Sequence, residues 1–355
     1  DGYNTALGSE AGKSLATGSY NTYLGARCGD ATTAGDYSTA VGADALGGVN
    51  TASKNVAVGW RSLYANTSGA GNVAVGSGAL IANTDGPYNV AVGQDALASN
   101  TTGDVMVAIG YSALQNLTGY DGAVAIGYFA GQDLTQGRDS VSVGREAAAQ
   151  ATSAEYFVAI GGWAMGEGVT TGDHNVCVGF YAGSAITSGA NNVVIGKDAG
   201  RTGSPGGNIT TGSNEVYIGD ENISAANIQV DWTIASDKRD KTDVSPMDLG
   251  LEFINQLEPV TYRWDKRSKY SDDQSAIPDG THKEEQLEGG FLAQDVEAIE
   301  EQYGHKLSDN TNLTFHLSED EKMYGIKYGK FVPMLVKAVQ ELSAEVEELK
   351  AKLEE

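Results

Sequence analysis

Asn55–Gly93 reads NVAVGWRSLYANTSGAGNVAVGSGALIANTDGPYNVAVG, and it contains NVAVG three times at a fixed spacing of 17 residues. The same motif, in forms such as NTALG, STAVG, MVAIG and SVSVG, ends in glycines at 8, 25, 42, 59, 76, 93, 110, 127, 144 and 161. It continues at Gly179, Gly196 and Gly219, with intervals of 18, 17 and 23. Self-similarity at a fixed period is the signature of a repeat architecture. Residues three and one before each glycine are Thr, Val, Leu or Ile, so period two and β-branching predict a short strand. The glycine supplies a positive φ or a close backbone approach. Three residues later comes a small slot, filled by Ala11, Cys28, Ala45, Ser62 and Ala79, and turns such as Asn66–Gly69, Asn83–Gly86 and Thr135–Gly137 close the coils.

Seventeen residues suffice for one or two strands of three to five residues and two turns, but not for a βα unit. The expected fold is therefore mainly β: a solenoid whose coils stack about 4.8 Å apart, giving a rod roughly 60 Å long. Both strand faces carry apolar or small residues, so one fills the interior and the other packs on something else, for which further copies of the chain are the natural choice. Cys28 and Cys177 lie nine coils apart, roughly 40 Å, beyond disulfide reach. Both are expected to be buried core residues.

The chain has 355 residues, 47 glycines and a net charge of −24, with −12 on each side of the Ala235–Ser236 bond. Neither half reads as a nucleic-acid binder. No apolar run approaches membrane-spanning length and no signal peptide opens the chain. It begins inside the repeat without a Met, which suggests a preceding N-terminal part. No calcium nonapeptide, phosphate loop or metal-spaced His pair is present, so no cofactor and no metal are expected.

The repeat resembles the head repeats of trimeric autotransporter adhesins and similar repeats in phage tail fibres. That resemblance implies a trimeric β-solenoid, a β-roll or triple β-helix, over residues 1–222. A monomeric β-helix would also explain the period, though not the C-terminal end of the chain. In NIQVDWTI, Ile228, Val230, Trp232 and Ile234 alternate with polar residues, predicting a connecting strand over 223–235.

Composition changes at Ser236, where glycine-rich coils give way to charge, aromatics and helix formers. SDKRDKTDVSPMDLGLEFINQLEPVTYRWD, GGFLAQDVEAIEEQYG and YGKFVPMLVKAVQELSAEVEELKAKL come in that order. Together they resemble the self-cleaving intramolecular chaperone domain at the C-terminus of phage tailspikes and tail fibres, the endosialidase tailspike type. The resemblance implies a small α+β chaperone domain over 236–330, a trimeric coiled coil over 331–355, and a Ser–Lys dyad. In that dyad Ser236 is the nucleophile, Lys241 the general base, and Ala235–Ser236 the scissile bond. A serine hydroxyl is inert until a base removes its proton, and a lysine serves as that base only when desolvation favours its neutral form. Asp240, where the family more often has an apolar residue, would hold the ammonium charged and slow cleavage. The alternative is that Ser236–Asp237 is a solvated turn or cap.

Within the domain, the sequence predicts a helix from Ser245–Pro246 through Leu257, a strand at VTYRWD, a polar loop over Lys266–Gly289 and a strand at GFLA. A helix around Asp295–Tyr303 and strands near Leu313–Leu317 and Met323–Tyr328 complete the expectation. The last helix sets Val332, Val339, Val346 and Leu353 between Leu335, Leu342 and Leu349, a heptad seam.

The function expected is the distal part of a viral, most naturally phage, tail fibre or tailspike: a homotrimer that binds a host cell-surface receptor, glycan or protein. It would join the virion tail through its N-terminal side and fold in the host cytoplasm. Two alternatives stay open, a glycan depolymerase tailspike and a bacterial trimeric adhesin. The first needs a carboxylate pair, and Asp44, Asp95 and Asp198, two residues after their glycines, read instead as solvated turn residues.

Overall fold

The structure is a computed structural model and describes residues 2–271 and 274–354. Two compact units divide the chain, Asp1–Glu221 and Asn222–Glu355.

The first unit is a β-solenoid whose strands run from β1 (Thr5–Leu7) through β4 (Val56–Val58) and β7 (Val107–Ile109) to β13 (Val216–Ile218). All thirteen form one parallel sheet in sequential order, and each motif residue pairs with its counterpart in the next coil. Each coil carries one three-residue strand. The second strand that a coil had room for is replaced by turns, because residues after the motif glycine alternate into the left-handed region. Asp44 and Leu46, then Arg61 and Leu63, have φ between +50° and +56°. A left-handed leucine costs about 1–2 kcal/mol. Leu46, Leu63, Leu80 and Leu97 are each fully buried by that geometry, which returns about 1.5–3 kcal/mol apiece and offsets the strain.

The interior face of the strand is its middle residue. Ala57, Ala74 and Ala91 are fully buried while the valines on either side are half-buried. In two coils a larger middle residue is accommodated by a glycine at the position four after the motif glycine. Where Tyr23 replaces Ala in the middle, Gly29 replaces Leu, and a Cβ on Gly29 would sit 2.9 Å from the Tyr23 ring. Val194 is matched in the same way by Gly200, while Tyr217 is accommodated by Gly206 in the preceding insertion.

Two columns of buried asparagines tie the coils together. Asn72 Oδ1 accepts from Asn89 N at 2.8 Å, and Asn72 Nδ2 donates to Gly86 O at 2.9 Å. Asn55 and Asn89 repeat the pattern. Asn66, Asn83 and Asn100 form a second column, in which Nδ2 of Asn83 and of Asn100 donates to the Oδ1 of the asparagine one coil back. Cys28 and Cys177 are buried free thiols. Asp44 corrects the solvated-turn expectation: it is 8% exposed, and Arg27 of the preceding coil donates to both its oxygens at 2.7 and 2.8 Å, holding the carboxyl below its ordinary range.

The second unit contains α1 (Leu251–Gln256), β14 (Val260–Tyr262) paired antiparallel with β15 (Glu288–Gly290), and α2 (Ala293–Gln302). β16 (Phe315–Leu317) pairs antiparallel with β17 (Tyr324–Ile326), and α3 (Phe331–Glu354) ends the described chain. Leu249, Phe253, Val296, Phe331 and Met334 form its core. Residues 272–273 of the expected polar loop lie outside the described residues.

Three expectations are corrected. The first helix begins at Leu251 behind Gly250, so Ser245 and Pro246 precede it in irregular chain. The strand expected at GFLA lies earlier, at Glu288–Gly290, and Ala293 already belongs to α2. NIQVDWTI forms no strand: within one chain it has no ladder partner, and its apolar side is exposed, Trp232 by 76% and Ile234 by 81%.

Candidate functional site

Asp237 caps a single 3-10 turn, Lys238–Asp240, its side chain accepting from Arg239 N at 2.9 Å. Arg239 is drawn back over the same carboxylate, with Nη2–Oδ2 at 2.6 Å, and the guanidinium lowers the carboxyl's pKa. The turn reverses the chain after Ser236, so residues five apart in sequence meet: Lys241 Nζ donates to Ser236 Oγ at 2.6 Å. The two residues named from the sequence as a dyad are thus in direct contact, and the cap reading of Asp237 holds beside them. Asp240 makes no ion pair with Lys241 among the described residues.

A Ser–Lys pair at this distance can pass a proton in either direction. With a neutral amine, Nζ accepts the hydroxyl proton and Oγ becomes a nucleophile toward a carbonyl. Ser236 and Lys241 are both exposed, as is Ala235. Water holds a lysine charged, so general-base action requires a cover that excludes it.

Two carboxylates that the sequence pattern left without roles brace the helices and strands of this unit. Glu341 of α3 accepts from Leu251 N at 2.7 Å, supplying the cap that Gly250 lacks at the start of α1. It also pairs with Lys337. The Leu251 N–H and the Lys337 ammonium together hold its carboxyl below the ordinary value. Glu300 of α2 is fully buried and accepts from Leu313 N at 2.9 Å, Thr314 N at 2.8 Å and the Thr314 hydroxyl, clamping the approach to β16. A buried carboxylate needs several donors. Glu300 was visible only as one acid among several in VEAIEEQ, and nothing local marks it as the one that turns inward. The α3 seam stands open: Val332, Val339 and Leu349 are each about 60% exposed.

No curated protein and no solved structure matches the chain significantly. Residues 236–305 match the family model for the chaperone of endosialidase, which begins at Ser236. A β-solenoid built mostly of 17-residue coils is thus followed by a region that matches the chaperone of endosialidase, a combination similar to an endosialidase-type tailspike with a C-terminal chaperone.

Proposed function

We propose that the chain is the distal part of a phage tail fibre or tailspike, that three copies assemble through α3, and that the assembled chaperone cuts itself off before Ser236. The observation that carries this reading is the 2.6 Å Lys241–Ser236 contact at the first residue of the family match. The open heptad seam of α3 supports the assembly step, since seven apolar side chains at heptad spacing bury their area only against other helices. The solenoid would remain on the virion as the stalk that meets a host receptor, after folding in the host cytoplasm.

In the cleavage step, Nζ of neutral Lys241 takes the Ser236 hydroxyl proton as Oγ attacks the Ala235 carbonyl carbon. The C–N bond to Ser236 breaks, the Ser236 nitrogen takes the proton from Nζ, and Ala235 is left as an ester on Oγ. Water then hydrolyses the ester, releasing the Ala235 carboxylate and the Ser236 hydroxyl. The exposure of the pair in one chain supports coupling of cleavage to assembly, in which other copies would supply the cover that a lysine base needs. Asp240 adds a nearby negative charge, so Asp240→Leu is expected to cleave faster than the parent.

The mass of the chain on a denaturing gel tests this. The parent is expected to give two fragments meeting at Ala235–Ser236, and Ser236→Ala and Lys241→Ala should each stay full length while remaining assembled. If neither the parent nor Asp240→Leu ever cleaves, the domain is a permanent assembly cap.

A further inference from the structure

The two residues after each motif glycine form one corner of the solenoid, and the fold leaves their chemistry free. Coils one to three and five put Ser9, Ala26, Ala43 and Ser77 first in that corner. Coils seven to eleven break the pattern with Tyr111, then Tyr128–Phe129, then Trp163, then Phe180–Tyr181. Because small residues fit the same corner elsewhere, packing within a coil does not require these rings.

The rings are ordered. Tyr111 and Tyr128 stack at 5.5 Å and 16°, with Phe129 tilted 4.1 Å from Tyr128. Two coils on, Trp163 stacks on Tyr181 at 5.1 Å and 11°, with Phe180 edge-on to both. Between the groups the Arg145 guanidinium lies 3.7 Å from the Trp163 ring centre, and Glu146 accepts from the Trp163 indole N–H at 2.9 Å. At the far end Arg201 lies over Tyr181 and pairs with Glu167 at 3.0 Å. Tyr111, Tyr128 and Phe180 are each over 40% exposed. Gly162 leaves a step in the column, into which the Phe180 ring leans.

We infer that this corner, from Tyr111 to Tyr181, is a binding strip for an uncharged oligosaccharide, which rests on the receptor-binding reading above and gives the receptor a chemical class. Five coils span about 19 Å at about 4.8 Å per step. With a width of about 10 Å the strip covers roughly 200 Å², far short of the roughly 800 Å² per partner that a stable protein interface buries. Its charges cancel, two guanidiniums against two carboxylates, so an acidic or basic partner gains nothing from it. What it offers is flat ring faces with donors and acceptors at their edges, and a saccharide ring has the complementary pattern of apolar C–H faces and equatorial hydroxyls.

The test uses the full-length chain, fluorescently labelled, on an array of bacterial O-antigen and capsular oligosaccharides, with adsorption to a panel of bacterial strains in parallel. The substitutions Tyr128→Ser and Phe180→Ser install the residue that Ser9 and Ser77 already carry in that corner, so the coils are expected to fold. The parent should bind uncharged saccharides, each variant should bind them at least tenfold more weakly, and Trp60→Ser, the same corner outside the strip, should bind like the parent. If the variants bind like the parent, or the parent binds no saccharide, the strip is overturned even if adsorption to cells persists, which would leave the receptor reading standing. A parent that adsorbs to no strain defeats both. A variant that instead loses its oligomeric state makes the strip a contact between copies and overturns the saccharide.

Discussion

Asn72 shows how much of this fold rests on single polar side chains. Replacing it by alanine leaves Asn89 N without its acceptor, while Gly86 O keeps Asn83 Nδ2 as a donor. One unsatisfied buried donor costs about 1–3 kcal/mol, so a loss of about 2 kcal/mol is expected in chemical denaturation. The asparagine before each strand was plain in NVAVG, but its partner lies 17 residues on and is fixed only once the register is known. Gly76, by contrast, was legible in full. Its φ is +142°, and an added Cβ would run into the Gly93 carbonyl of the next coil. Gly76→Val combines that collision with backbone strain of order 1–3 kcal/mol, and calorimetry should show a clearly lowered Tm. Cysteine chemistry gives a third check at this scale. Burial pushes the Cys28 thiol up to about 11 and Cys177 up to about 12. Iodoacetamide at about pH 8 should therefore label neither in the native protein and both after unfolding.

Among elements, α3 was the easiest to read and the 222–235 segment the most misleading. A heptad pattern specifies its own helix and the kind of partner it needs, so Phe331–Glu354 could be anticipated with its seam. An alternating pattern specifies a strand only if another backbone stands beside it, and NIQVDWTI has none within one chain. The start of α1 was misread because Ser245–Pro246 carries strong local start signals, while the cap in use, Glu341, comes from 90 residues away. That cap gives α1 a pH dependence. The Glu341 carboxyl is depressed in the folded state, so its contribution is present above its ordinary value of about 4.3 and lost as pH falls through the folded value. The protection of the Leu251 amide against exchange, relative to an unfolded amide at the same pH, should fall on acidification through the carboxylate range, and Glu341→Gln, which does not titrate, should flatten that response. In the proposed seam itself, Leu342→Glu would place three carboxylates where the copies meet, and sedimentation equilibrium should then find a monomer.

For the whole molecule, the proposed division of labour is that α3 sets the register and the solenoid inherits it. Contacts between distant or separate chain segments are slow to nucleate, whereas a helical seam forms from regular local structure. Truncation before Val332 is therefore expected to yield no soluble stalk, while the parent sediments as a trimer. The motif glycines predicted the coil count, yet the pairing of a larger middle residue with a glycine six positions on, Tyr23 with Gly29 and Val194 with Gly200, was hidden, because it rests on side-chain volume inside the coil rather than on the motif. The uniform register has one more consequence. Each strand meets the next with the same residues opposed, Val56 on Val73 and Val73 on Val90, so a coil is a unit of length that can be removed or added without changing the strand register. Excising residues 77–93 would join Gly76 to Gln94 and leave every remaining side chain on its own face, whereas excising one residue fewer would put the next strand out of phase with its neighbour. The length of the solenoid is thus a discrete quantity, changed by whole 17-residue coils in steps of about 4.8 Å.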